Sequence, residues 1–352
     1  MVTGSSKAAR LAAPGRQVCL ADRLRELFLR AELTAGVSVI AVFAFFAIAA
    51  GDHGFLSFVG TKNYLQVAAG IGIVATPITL LLVAGEFDLS VGTMTAAAGI
   101  VVAYPISFLG WPIWASMSAG LVAAAIVGTA NGVLVVRFGI PSFLVTLGMM
   151  FFLRGVTLGL TLMLTGATQI FRLKALRAHD PMLPLFAGSV FGLPVALFWW
   201  LGMTAVAAHI LTNTRYGNWI YASGGDPDAA AKMGIPVGPL KVALYVATAM
   251  SAVIVAMLEM FYVDLADVTQ GLGKEFEAIT SAVVGGAAIT GGFGSPIGTA
   301  LGALMFSMIS QGFFYTDIND NWFYAFVGAM LILAVIVNGY TRGIAARRTL
   351  AK

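Results

Sequence analysis

The chain has 352 residues, of which 59% are hydrophobic and only 10% charged, whereas soluble domains carry about a quarter charged side chains. With a mean hydropathy of +0.91, such a chain cannot cover a water-facing surface with polar groups. A soluble enzyme, a nucleic-acid-binding domain and a disordered regulator are therefore excluded. The formal net charge is a modest +4. Cys19 is the only cysteine, so neither a disulfide framework nor a thiolate metal cluster is available. His53, His179 and His209 lie far apart and share no helical spacing, which argues against a zinc site.

The composition predicts an all-α polytopic membrane protein with about ten transmembrane helices. Residues 1–32 read as a cytoplasmic tail, residues 33–340 as the membrane domain and residues 341–352 as a second basic cytoplasmic tail. Lys7, Arg10, Arg16, Arg23, Arg25 and Arg30 crowd the first tail and feed a full-length apolar run, unlike a cleaved signal peptide. Within it, Leu20, Leu24, Leu27 and Phe28 share one helical face. That pattern fits an amphipathic helix at the inner headgroup layer or an ordinary helical lead-in. Apolar runs place spans near 33–50, 64–84, 92–109, 112–136, 141–165, 190–212, 239–262, 278–292, 295–315 and 322–340. The eighth is short and rich in Gly and Ala, and reads as a broken or re-entrant segment near 271–292. Two basic tails put both termini in the cytoplasm, which an even number of crossings satisfies. The loop 166–189 then falls outside despite Arg172, Lys174 and Arg177. Gly128 with Gly132, Gly155 with Gly159 and Gly298 with Gly302 are spaced four apart, as close helix packing in lipid requires.

Three stretches carry more polarity than a span or linker needs. In Gly85-Glu86-Phe87-Asp88-Leu89-Ser90-Val91-Gly92, Asp88 or Ser90 either caps the next helix or serves the translocation path or its gate. Residues 213–238 form the longest hydrophilic insert on the cytoplasmic side. There Asp226-Pro227 reads as a helix start, N-cap then N1, with Asp228 in the first turn favoured by the helix dipole. Gly234 ends that helix. A two-turn helix is marginal alone, so it packs on its own spans or docks on another protein. The third stretch, residues 271–295, holds the glycine-rich segment with Glu275 and Glu277. It lacks the spacing of a phosphate-binding Walker loop. Glu86-Phe87-Asp88 and Glu275-Phe276-Glu277 fall on opposite sides by span counting, as in repeats inverted across the membrane.

Arg154 sits mid-way through an apolar run and should face the bundle interior, with Glu259 as one candidate partner. Asn131, Thr146 and Gln311 are milder intrusions, expected to make hydrogen bonds between helices. Asp88, Ser90, Asn131, Thr146, Arg154, Glu275 and Glu277 are the candidates for the path or gate.

Four collinear motifs carry a family likeness. Residues 84–92 resemble the Ala-Gly-x-x-Asp-Leu-Ser-Val-Gly of permease subunits in bacterial ATP-binding-cassette (ABC) importers for ribose, xylose, arabinose and galactose. Ile140-Pro141-Ser142-Phe143-Leu144-Val145-Thr146-Leu147-Gly148 with Arg154-Gly155 is similar to a second motif of that family. Tyr221-Ala222-Ser223-Gly224-Gly225, with Ala229-Ala230 and Gly234-Ile235, is similar to its ATPase-contacting loop. Residues 282–295 match its late glycine-rich signature. The resemblance implies a non-catalytic pore subunit that pairs with itself or a close relative. It further implies two cytoplasmic ATPase subunits that bind ATP and Mg, so that this chain itself holds no cofactor, and an extracytoplasmic substrate-binding protein. It assigns ATPase coupling to Arg215, Gly217, Tyr221, Gly224, Gly225, Asp226, Asp228, Ala229, Ala230 and Gly234, and location to the bacterial inner membrane. Glu86, Phe87 and Ser223 depart from the family pattern, which leaves the solute open: a sugar, nucleoside, furanone signal or amino acid. An ion-coupled secondary transporter is the rival reading.

Overall fold

A computed structural model of the chain describes residues 31–316, 322, 323, 325–333 and 336. The amphipathic segment at 20–29 and the basic tails lie outside the described residues. Eight helices among the described residues are long and apolar enough to cross a membrane: α1 Ala31–Ala49, α2 Phe58–Val83, α3 Val91–Phe108, α4 Ile113–Phe138, α5 Ser142–Thr165, α6 Val195–Asn213, α9 Val237–Val263 and α11 Pro296–Phe314. Between them lie the shorter α7 Arg215–Gly225, α8 Pro227–Lys232 and α10 Lys274–Val284.

These helices start and stop for local reasons. Ser57 and Ser295 cap α2 and α11 by accepting the Gly60 and Gly298 N–H, while Gly139 and Gly166 close α4 and α5 in left-handed geometry. The eighth stretch is a broken segment, as its shortness and its Gly and Ala content predict. Its helix, α10, is 11 residues long, about half a crossing, and Gly286, Gly291 and Gly292 at positive φ turn the chain that follows. The tenth predicted span lies partly outside the described residues; its described positions are helical.

The packing is layered. From residue 68 onward α2 is buried on every face, and most of α9 is buried too. Such all-round apolar helices belong at the centre of a bundle. By contrast α1, α4, α5 and α6 expose Ile48, Ile126, Phe151 and Val206, an apolar skin that suits lipid and not water. Glycine brings backbones together where it matters. A Cβ on Gly128 would stand 2.6 Å from Val246 Cα, and one on Gly132 2.7 Å from Val242 Cα, so α4 lies directly on α9. Gly298 and Gly302 likewise leave no room against Gly285 and Ser281. Gly155 and Gly159 touch nothing; that pair packs no helix within the described residues.

One end of the bundle is tied by the loop between α5 and α6. Gln169–Phe171 pairs antiparallel with Leu265–Asp267. Arg177 donates to the Ile106 carbonyl at 3.1 Å, the Asp180 carboxylate accepts the Ile113 N–H at 2.8 Å and the Asp264 carboxylate accepts the Lys174 N–H at 2.7 Å. This basic loop therefore sits at the C-terminal end of α9, whereas residues 213–236 sit at its start.

Candidate functional site

The insert between α6 and α9 folds much as its residues dictate. The Asp226 carboxylate accepts the Ala229 N–H at 2.9 Å, Pro227 takes the first helical position, and Gly234 turns the chain at φ +85°. Asp226, Asp228, Ala229 and Gly234 are exposed; only Ala230 of α8 is buried. Arg215 lies over the Tyr216 and Trp219 rings, 5.1 and 5.4 Å from their centroids. A charged, capped two-turn helix thus projects from the bundle, with α7 as its stalk.

Gly224 behaves differently from its neighbours. A Cβ there would meet the Val83 carbonyl at 1.8 Å and the Gly292 N at 2.7 Å, while Gly225 has open space. Gly85 and Gly291 also pack on Gly224. The Gly292 N–H donates to the Val83 carbonyl at 2.8 Å, and Tyr221 Oη donates to the Gly294 carbonyl at 2.9 Å. Gly217 is another tight joint, its Cβ position 2.0 Å from the Leu211 carbonyl. Three glycine segments, at 85, 224 and 291–292, therefore form one knot at the base of the projecting helix.

The knot continues into loop 84–90. Lys241 pairs with Glu86 at 2.5 Å. Ser142 Oγ accepts the Phe87 N–H at 3.2 Å, and Tyr245 Oη donates to the Phe87 carbonyl at 3.1 Å. Asp88, 1% exposed, accepts both the Ser90 N–H at 2.8 Å and the Ser90 hydroxyl at 2.6 Å. Asn131 donates to Ser90 Oγ at 2.9 Å. Neither Asp88 nor Ser90 caps α3 with its side chain: Ser90 occupies the N-cap position in helical geometry without such a bond, because its hydroxyl is committed to Asp88. Burial pushes the Asp88 carboxyl up to about 6, against the two bonds from Ser90 that pull it down.

The remaining candidates scatter. Thr146 bonds within its own helix, to the Ser142 carbonyl, instead of bridging helices. Glu275 is buried against Gly92 in the first turn of α3, with Oε2 unpartnered among the described residues. Glu277 lies near Lys274, whose ammonium pairs with Glu259 at 2.5 Å. Glu259 is thus taken, and the expected Arg154–Glu259 pair does not form. Arg154 does not face the interior either. It is exposed near the middle of α5 and makes no ion pair among the described residues. Against lipid a lone guanidinium at that depth costs about 2.5–3.5 kcal/mol on insertion scales. Sequence reasoning missed Lys241, Tyr245 and Lys274. A lone cation one turn into the apolar run of α9 is the signal that would have found Lys241.

Motifs at 84–92, 142, 221–225 and 291–294, far apart in the chain, thus converge at one end of the bundle. Residues 60–335 match the family described as branched-chain amino acid transport system / permease component. The chain belongs to this permease family. It is 30% identical to the ribose import permease protein RbsC of Escherichia coli K12 over 89% of this chain and 96% of that protein. It is 29% identical to the fructose import permease protein FrcC of Rhizobium meliloti over 88% and 85%, and 27% identical to the xylose transport system permease protein XylH of Escherichia coli K12 over 87% and 91%. No solved structure matches significantly. This permease is therefore a multi-pass membrane protein whose curated relatives, matched over most of their length, are named for sugars while the family description names amino acids.

Proposed function

We propose that this permease is the transmembrane subunit of an ATP-binding-cassette importer for a monosaccharide, and that it alternates between outward- and inward-open states. Residues 213–238 are the cytoplasmic coupling segment. Arg215, Tyr216 and exposed Asp226, Asp228 and Met233 meet a partner ATPase, which holds ATP and Mg. Gly217, Gly224 and Gly225 belong to the joint beneath them. The chain pairs with a second copy or a related permease in the inner membrane, both termini cytoplasmic, and takes solute from a binding protein. The sugar class is supported by relatives named for ribose, fructose and xylose.

One observation carries the coupling assignment: the exposed α8 stands on a stalk whose Gly224 touches the ends of α2 and of the 285–295 segment at once. A push on α8 reaches both the loop before α3 and the segment before α11. Deleting residues 226–234 should leave membrane insertion intact and abolish ATP-driven uptake of the sugar. Normal uptake by that variant refutes the assignment. Uptake that persists without the ATPase and collapses with the ion gradient selects the secondary-transport reading instead.

A further inference from the structure

We propose that the end of the bundle opposite α8 carries a phospholipid site. Lys62 takes the lipid phosphate in a pocket beneath the hairpin 189–194, and the tip of that hairpin enters the acyl chains. Ser189 and Val190 pair antiparallel with Pro194 and Leu193. Phe191 and Gly192 are left as a two-residue turn, with φ of +52° and +79°. Such turns favour Asn-Gly, because both central residues need positive φ. A bulky Phe in that conformation is an outlier, and packing does not hold it there: Phe191 is 94% exposed.

The start of α2 continues this apolar surface. Leu56, Phe58 and Val59 are exposed, and a Cβ on Gly192 would meet the Phe58 ring at 3.3 Å, so tip and helix form one patch. Exposed patches of this kind mark membrane or protein contacts. Depth decides between them. Lys62 lies one turn into a membrane-spanning helix, about 6 Å from its start, and Trp199 lies one turn into another. Trp199 stacks on Phe186 at 5.8 Å between centroids and donates to the Leu185 carbonyl at 2.9 Å, the placement of an interfacial aromatic belt. This is the level of the lipid headgroups.

The pocket supplies the matching chemistry. About 160 Å³ in volume, it is lined among others by Lys62 and Gln66 of α2, Ser189 and Pro194 of the hairpin, and Leu258 and Tyr262 of α9. Every polar side chain of the lining is a hydrogen-bond donor, and none is a carboxylate. Lys62 is half-buried, 5.8 Å from the Phe58 centroid, and makes no ion pair among the described residues. An anion with several acceptor oxygens satisfies such a set, whereas a neutral sugar leaves the ammonium uncompensated. A free phosphate satisfies the donors but makes no use of the apolar rim. The anion is therefore one that carries chains.

The site requires only that the chain sits in a bilayer, so its test is independent of the coupling and substrate assignments. The full chain in detergent is titrated with dioleoyl phosphatidylglycerol and read by native mass spectrometry. Lys62→Met should weaken retention of the most tightly held lipid about tenfold, the worth of one charged hydrogen bond. Arg172→Asn removes an exposed cation at the same end but outside the pocket, and should change nothing. Dioleoylglycerol, with the same chains and no phosphate, should not be retained by the unaltered chain. Equal loss in both variants, or firm retention of dioleoylglycerol, overturns the site. Displacement of the lipid by millimolar inorganic phosphate makes it a site for the free ion and overturns the lipid. The tip is tested with Lys62 intact. A bimane label on Phe191→Cys, in a Cys19→Ser background, is placed in phosphatidylglycerol–phosphatidylcholine vesicles containing brominated acyl chains. Bromine should quench it several-fold more than the same label on Arg172→Cys. Equal, weak quenching puts the tip in water, where a protein partner covers it, and overturns the proposal.

Discussion

Asp88 is the carboxylate of loop 84–90 that burial affects most. Its side chain is enclosed, and the Ser90 N–H and hydroxyl satisfy only Oδ1. Burial lifts its pKa from 3.8 to about 6, so the folded state prefers the protonated form. The sign follows directly: the stability it contributes is complete below pH 3.8, falls as pH rises through about 6, and changes little above. A shift of this size corresponds to about 3 kcal/mol. Asp88→Asn imitates the protonated acid and keeps an oxygen for Ser90. Its thermal stability in detergent should therefore change less between pH 4 and 7 than that of the unaltered chain. Parallel pH profiles would show that Asp88 is not the titrating group. Lys274 and Glu259 supply a second residue-scale test. Partly buried opposite charges are costly to separate, so Lys274→Met alone should destabilise more than Lys274→Met with Glu259→Met. A double variant worse than the single would sink the pairing.

At the scale of elements, the joint beneath α8 separates two adjacent glycines. Gly224→Ala drives a methyl into the Val83 carbonyl, whereas Gly225→Ala points into open space. Overpacking of this kind costs about 1–3 kcal/mol, and the first variant should lose most ATP-driven uptake while the second keeps it. Equal uptake would show that the knot does not transmit. The helix start at Asp226 and the stop at Gly234 were legible because capping and left-handed turns are local chemistry, decided within a few residues. Most spans were legible too, since long apolar runs have few alternatives. The break in the stretch 278–292 was legible as well, from its shortness and its glycines, because Gly286, Gly291 and Gly292 turn the chain locally. The orientation of Arg154 was not. Periodicity names the faces of a helix but not which face a neighbour covers, and α5 is covered along one line only. The convergence of Gly85, Gly224 and Gly291 was not legible at all, because it is a property of the packed bundle.

For the whole molecule, the seam between α4 and α9 connects packing to function. Lipid supplies little hydrophobic force between helices, so close backbone approach carries their association. Gly128 and Gly132 provide it, against Val246 and Val242 of α9. The same stretch of α9 holds Lys241 and Tyr245, which grip Glu86 and Phe87, and the same stretch of α4 holds Asn131, which grips Ser90. Forcing the two helices apart must therefore loosen the loop that the coupling knot touches. Gly132→Val should lower the thermal stability of the detergent-solubilised protein by several degrees and weaken uptake more than the stability loss alone predicts at low temperature. Gly202→Val, on the outer face of α6 with nothing within 4 Å of a Cβ, should change neither. If Gly132→Val unfolds early yet transports at the unaltered rate while folded, the seam only holds the bundle together and the grip on loop 84–90 does not depend on it.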